Sequence, residues 1–159
     1  MAEVTTQITG GCLCGAVRYE SSEPPIRTTI CHCRMCQKST GSAFMVAVGF
    51  LRTTLRFTKG EPKLYRSSPI KDKGFCANCG SLLFDQFLTP TGNTDQDMIW
   101  VQLGTLDHPE AVSIDFHTGV ESQLPWVHFD DGLPRSRCDG NPILMAASAA
   151  AEAERNSRS

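Results

Sequence analysis

The sequence predicts an all-β fold. Short segments rich in β-branched and aromatic residues recur along the chain with turn residues between them, the pattern of sandwiches and barrels. Gly and Pro punctuate the gaps between them. Helical character is confined to two short stretches, one near residue 34 and one at the C-terminus. A chain of 159 residues fits one domain, since domains run at roughly 100–200 residues. At that size about two-thirds of the chain's surface can be buried in a core.

Taken in order, residues 15–20 alternate weakly and read as a strand. Residues 28–33 are β-branched and then cysteine-rich, and residues 44–50 read as a buried strand. Residues 55–58 and 63–66 flank Lys59-Gly60-Glu61-Pro62, a turn composition that signals a hairpin. Residues 82–87 are apolar enough for a core strand, and residues 98–103 and 112–117 complete the set. A short helix is expected at Arg34–Thr40, with Gly41 as its stop signal. Residues 1–145 are expected to form the domain. Residues 146–159 form an alanine-rich tail, either a terminal helix or a frayed end, with no residue marked for chemistry.

Composition excludes several classes. Net charge is −2 and the pI about 6.1, whereas a nucleic-acid domain with a basic face usually has a pI above about 9. No basic arm stands at either end, so a nucleic-acid partner is not expected. The longest apolar run, residues 43–51, has nine residues including Gly49. A membrane helix needs about 20, so no membrane partner is expected. The first residues lack a cationic start and an apolar stretch, which leads to the expectation of a cytoplasmic protein.

Cysteine usage is the most informative feature. Eight cysteines stand at 12, 14, 31, 33, 36, 76, 79 and 138, and all but Cys138 fall into tight clusters. A four-disulfide framework is the alternative, but a reducing compartment opposes it and a chain this long does not need staples. Close spacing suits thiolates that converge on one ion. Structural zinc sites close a tetrahedron with four protein ligands, while catalytic sites supply three and leave one position open. Seven clustered cysteines divide as four plus three.

Cys76-Ala-Asn-Cys79-Gly80 reads as a zinc knuckle, and Cys12-Leu-Cys14-Gly15 offers the second pair. In an extended segment residues i and i+2 share a face, so Cys12 and Cys14 can reach one ion. Cys31-His-Cys33-Arg-Met-Cys36 supplies three ligands and leaves a fourth position vacant. With zinc, three thiolates give a singly negative site against a doubly negative one for four, and so retain more Lewis acidity. A redox role for Cys76 and Cys79 is less favoured, because an apolar strand rather than a helix follows them. His32, between two ligand cysteines, should point to the opposite face. His108, His117 and His128 read as polar partners, and Cys138 as a bystander thiol in a polar loop. Arg34, Gln37 and Lys38 lie beside the open cluster and are the candidate substrate-binding residues, with a solvated face as the alternative for the two cations.

The ordered set Gly10-Gly11-Cys12-x-Cys14-Gly15, then Cys31-His32-Cys33-x-x-Cys36-Gln37 with Gly41, then Phe75-Cys76-x-x-Cys79-Gly80, resembles the glutathione-dependent formaldehyde-activating enzyme family, which includes centromere protein V. Pro125-Trp126 and Asp130-Asp131-Gly132-Leu133-Pro134 are similar to that family's ending, so the resemblance spans roughly residues 7–135. It implies a β-tent-like all-β fold of short antiparallel strands with two Zn2+ per chain. By position it implies a structural site of Cys12, Cys14, Cys76 and Cys79 and a catalytic site of Cys31, Cys33 and Cys36. The implied activity is that of a carbon–sulfur lyase, adding formaldehyde to glutathione to give S-hydroxymethylglutathione. A substrate thiol would then fill the vacant position and be held as thiolate. The alternative is a non-catalytic, zinc-stabilised interaction module.

Overall fold

The computed structural model describes residues 7–89 and 97–158. The expected start of the domain at residue 1 and the end of the tail at residue 159 lie outside the described residues. Within them the protein is mostly β-sheet, with ten strands and two helices. Strands β1 (Ile8–Gly11), β2 (Arg18–Ser21) and β5 (Leu55–Lys59) form a small antiparallel sheet in the order β1-β2-β5. The large sheet has the order β10-β3-β4-β9-β8-β7-β6. Its strands are β3 (Arg27–Cys31), β4 (Met45–Leu51), β6 (Lys63–Ser68), β7 (Lys71–Phe75), β8 (Leu82–Phe87), β9 (Met98–Gln102) and β10 (Phe116–Thr118). All its pairs are antiparallel except β10 with β3.

Alternation along the strands gives the large sheet two different faces. One face sends Val48, Phe50, Phe84, Ile99 and Val101 into a cluster with Tyr19 and Leu55 of the small sheet. This is the main core. The other face carries Met45, Ala47, Met98 and Trp100, which pack with Cys31 and Cys36. Helix α1 (Arg34–Thr40) forms as expected and ends at Gly41, whose N–H donates to the Gln37 carbonyl at 2.9 Å.

The expected hairpin across residues 59–62 is corrected by the structure. β5 pairs with β2 in the small sheet, while β6 pairs with β7 in the large one. Gly60 explains the separation. It adopts φ +62°, and a Cβ there would lie 2.2 Å from the Ala16 carbonyl oxygen, so the turn is seated against the β1–β2 connection. Phe57 then packs edge-on against Tyr19, with ring centroids 6.2 Å apart. The chain crosses between sheets here, and the true hairpin is β6–β7, with Ser68 opposite Lys71.

Two strands were not anticipated. β1 reads Ile-Thr-Gly-Gly and β7 reads Lys-Asp-Lys-Gly-Phe, both poor in strand-forming residues. Tertiary context stabilises β7. A Cβ on Gly74 would lie 2.2 Å from the Phe84 ring, and the charges of β7 find partners in Arg66 and Asp85. The expected strand at 112–117 is shorter and shifted, running Phe116–Thr118.

The C-terminal stretch is helical. Helix α2 (Pro142–Ser157) starts four residues before the alanine-rich tail and, at 16 residues, is longer than the short helix expected. Asn141 caps it, its Oδ1 accepting from the N–H groups of Ile143 and Leu144 at 3.1 and 3.2 Å, and Pro142 opens the first turn. Ala147 and Ala151 are buried, and the helix packs on β6.

Asp107 ties the small sheet to the turn after β9. It accepts from Thr9 Oγ1 at 2.6 Å and from both terminal nitrogens of Arg18, with Nη1 at 2.9 Å. Its pKa is lowered to about 2, chiefly by the Arg18 hydrogen bonds and then by Thr9. A carboxylate depressed in the folded state adds stability above its unfolded pKa of about 3.9, and that stability is lost as pH falls towards 2. Both side chains are about one-third exposed, so solvent screening limits the contribution to about 1 kcal/mol. Asp107→Asn should therefore lower the melting temperature at pH 7, with the difference from wild type shrinking below about pH 4 and lost as pH falls through about 2. Thermal melts across that range check it.

Candidate metal centres and cavity

The first cysteine group joins the turn after β1 to the turn after β7. Cys12 is buried and Cys14 exposed, while between them Leu13 points out with 91% of its surface exposed. The segment is a turn rather than the extended strand expected. Gly15 N–H donates to the Cys12 carbonyl at 3.1 Å, and Gly80 N–H does the same to Cys76 at 2.8 Å. Both pairs thus sit in tight turns closed by a glycine N–H, the first spanning three residues and the second four. The Sγ atoms of Cys12, Cys14, Cys76 and Cys79 all lie within 4.8 Å of one another.

Donors surround these sulfurs. Val17 N–H reaches Cys12 Sγ at 3.2 Å and Asn78 Nδ2 reaches Cys14 Sγ at 3.2 Å. Ser81 Oγ lies 3.1 Å from Cys79 Sγ, and Ser81 hydrogen bonds draw the Cys79 pKa down to about 5. Four convergent thiols with thiolate-favouring donors suit a closed tetrahedral ion. Because the group links pairs of residues 62 or more positions apart, from Cys14 to Cys76 at the nearest, an ion there would act on folding.

The second group sits where β3 runs into α1. Cys31 ends the strand. Cys33 is the helix N-cap, its sulfur accepting from Cys36 N–H at 3.4 Å, and Cys36 lies in the first turn. Their three Sγ atoms also lie within 4.8 Å of one another. Hydrogen bonds from Cys31 and Cys36 hold the Cys33 thiol far below its ordinary pKa, while sharing with Cys33 and Cys36 pushes Cys31 up. Among the described residues these are the two thiol groups able to hold a metal ion, and all eight cysteines are free.

The three-thiol group opens onto a cavity of about 650 Å³ on the outer face of the large sheet. Trp100, Met45, Ala47 and Phe87 floor it, α1 forms one wall with Arg34 and Lys38, and α2 contributes Leu144, Met145 and Arg155. Arg34 and Lys38 thus line the same cavity as the three thiols. Gln37 does not. It is buried, its Nε2 donates to the carbonyls of His32 at 2.7 Å and Ser122 at 3.0 Å, and its Oε1 accepts from Arg34. Its polar atoms are spent holding the loop that presents Cys33, so it is a positioning residue rather than a substrate contact.

His32 faces away from the thiols, as expected, and is completely buried. Its Nε2 lies 3.0 Å from His117 Nδ1, and His117 Nε2 lies 2.7 Å from Asp131 Oδ2. With His117 neutral, its Nε2–H donates to the Asp131 carboxylate and its Nδ1 accepts a hydrogen bond from His32 Nε2. The two rings stack with centroids 5.3 Å apart, enclosed by Phe44 and Phe129. His117 is the polar partner anticipated. His108 pairs with exposed Glu110 at 3.1 Å. Cys138 stands on the cavity wall, 3.4 Å from Thr118 Oγ1 and outside both metal-binding groups.

Sequence reasoning missed the charged floor. Lys71 and Lys73 of β7 share a face with Asp85 of β8. Lys73 Nζ is 2.8 Å from Asp85 and Lys71 Nζ 3.3 Å. Burial works against the Lys71 charge, but Asp85 and the three thiols outweigh it and its pKa is raised. The Lys-x-Lys alternation was visible, yet nothing local linked it to the cysteines.

The model of the glutathione-dependent formaldehyde-activating enzyme family matches residues 7–122. An uncharacterized lyase of Schizosaccharomyces pombe is 29% identical over 75 residues, which is 47% of this chain and 54% of that protein. The chain thus spans about half the length of that relative. A crystal structure of a Rhodobacter sphaeroides protein aligns with a TM-score of 0.47 at 19% identity, covering 80% of this chain and 98% of the other. No helix among the described residues is long and apolar enough to cross a membrane.

Proposed function

Because the chain belongs to the glutathione-dependent formaldehyde-activating enzyme family, we propose that it is a zinc-dependent, carbon–sulfur lyase-type enzyme. It binds a small thiol, glutathione, and forms or breaks that thiol's aldehyde adduct, such as S-hydroxymethylglutathione. The observation that carries the reading is a group of three thiols, one short of a tetrahedral set, lining a 650 Å³ cavity. Two Zn2+ per chain follow from the two groups, and a cytoplasmic setting would keep the thiols reduced.

Cys31, Cys33 and Cys36 would hold the catalytic ion, and Cys12, Cys14, Cys76 and Cys79 the structural one. The catalytic ion supplies a coordination position for a substrate thiol and keeps that thiol deprotonated. The protein supplies the rest. Gln37 fixes the β3–α1 junction, so the three sulfurs are held in register. Arg34 and Lys38 face the carboxylates of glutathione, each exposed pair adding only about 0–1 kcal/mol, so they tune affinity rather than create it. The apolar floor of Trp100, Phe87 and Met45 excludes water from the reacting carbon.

The test is calorimetric titration of zinc-loaded protein with glutathione and with S-methylglutathione, which cannot become a thiolate. Glutathione should bind at least about 100-fold more tightly, since the sulfur contact carries most of the binding. Equal affinities would show that the sulfur is not the anchor.

A further inference from the structure

The cavity is lined by Lys71 and Asp85, and Asp85 is shared with the buried Lys73, which does not line it. Asp85, 1% exposed at its side chain, accepts from Lys73 Nζ on both oxygens, at 2.8 and 2.9 Å. Lys73 is itself buried, and its pairing with Asp85 is complete. Lys71 lies two residues earlier on the same face, 3.3 Å from the same carboxylate, longer than the roughly 2.7–2.9 Å of a strong charge-assisted bond. Its Nζ also rests over the Phe87 ring, 4.4 Å from the centroid. Of its three N–H donors, one is loosely engaged by Asp85.

This division separates structure from function. One buried ammonium suffices to neutralise Asp85, and Lys73 is that group. Lys71 adds a surplus positive charge to a floor otherwise made of Trp100, Phe87, Met45 and Ala47, in the cavity that also holds the three thiols. A surplus buried cation costs free energy unless an anion faces it. The thiols supply that anion at rest. During addition of a thiol to an aldehyde, new negative charge appears on the carbonyl oxygen.

Resting on the thiol-adduct reading above, we propose that Lys71 is a catalytic residue whose ammonium donates a hydrogen bond to that oxygen as the carbon–sulfur bond forms. The thiolate sulfur gives the electron pair of the new bond. The carbonyl π pair moves to oxygen, which becomes an alkoxide against Lys71; the proton that the thiol released on binding returns to this oxygen through solvent at the cavity opening, giving the hydroxymethyl thioether. Cleavage runs the same steps in reverse, and nothing is oxidised or reduced. Lys71 remains charged throughout and stabilises the oxygen electrostatically, as an oxyanion donor does.

The test compares wild type with Lys71→Met and Lys71→Arg, each zinc-loaded. NMR exchange between glutathione and its formaldehyde adduct measures the rate, and calorimetry measures glutathione affinity. Lys71→Met should lower the exchange rate at saturating glutathione by about 100-fold, with affinity changed by less than about threefold. Because the Lys73–Asp85 pair remains, the melting temperature should stay close to wild type. Lys71→Arg, which keeps the charge, should recover the rate to within about tenfold of wild type. An active wild type with an equally active Lys71→Met overturns this inference alone. A Lys71→Met that loses affinity and rate by the same factor also overturns it, making Lys71 a countercharge for the bound thiol. A wild type that accelerates no exchange overturns the proposed function and this inference together.

Discussion

Cys76→Ser is expected to leave a chain that does not fold cooperatively at 37 °C. Cys76 is 1% exposed and belongs both to the four-thiol group and to the main core. Its sulfur and those of Cys12, Cys14 and Cys79 gather turns that are far apart in sequence, so an ion bound there exists as a binding site only in the folded chain. Structural zinc contributes about 10–16 kcal/mol in zinc-finger peptides, while whole domains are stable by only about 5–15 kcal/mol. Losing even half of the first figure exceeds much of the second. Far-ultraviolet circular dichroism through a thermal melt reads the result. A cooperative melt within a few degrees of wild type would contradict a structural role.

Cys33→Ser should behave in the opposite way. Cys33 is half-buried at the start of a seven-residue helix, at the edge of the cavity rather than between the sheets. Serine is itself a good N-cap, so the helix start survives. The domain should melt within a few degrees of wild type while glutathione binding and adduct exchange fall by at least about 100-fold, the scale of a lost metal ligand or its orienting partner. Calorimetry and NMR exchange on one preparation check both halves. Retained exchange would remove Cys33 from the catalytic set.

The contrast between these variants reflects what was legible in the sequence. Both cysteine groups could be read because their ligands come in pairs and triplets a few residues apart, and local spacing decides whether thiols can converge. Helix α1 was legible, with Gly41 marking where it ends. The orientation of His32 followed from its place between two cysteines of an extended strand. The hairpin error came from the opposite situation: the turn residues at 59–62 were read correctly as a turn, but which strands pair across it depends on Ala16 and Tyr19, some 40 residues away. β7 was invisible because its glycine and charges suit a strand only once Phe84 and Asp85 stand beside it. Lys71 was missed with it. The role of α2 as a cavity wall could not be read either, since an alanine-rich amphipathic stretch carries no mark of what it will cover.

Gln37 marks a subtler limit. Its position in the motif beside three thiols suggested substrate contact, and only the hydrogen bonds to His32 and Ser122 reveal a structural task. Proximity in sequence identified the right neighbourhood but not the direction of the side chain.

X-ray absorption at the zinc edge separates a closed centre from an open one in a single sample. With one four-thiolate and one three-thiolate site, the zinc-loaded protein should average about 3.5 sulfurs per zinc, with the remaining coordination from lighter atoms. Added glutathione should raise the average to about 4 as its sulfur takes the fourth position at the three-thiol centre. An average of 4 before glutathione is added, or one that does not change on its addition, would contradict an open, thiol-accepting centre at Cys31, Cys33 and Cys36.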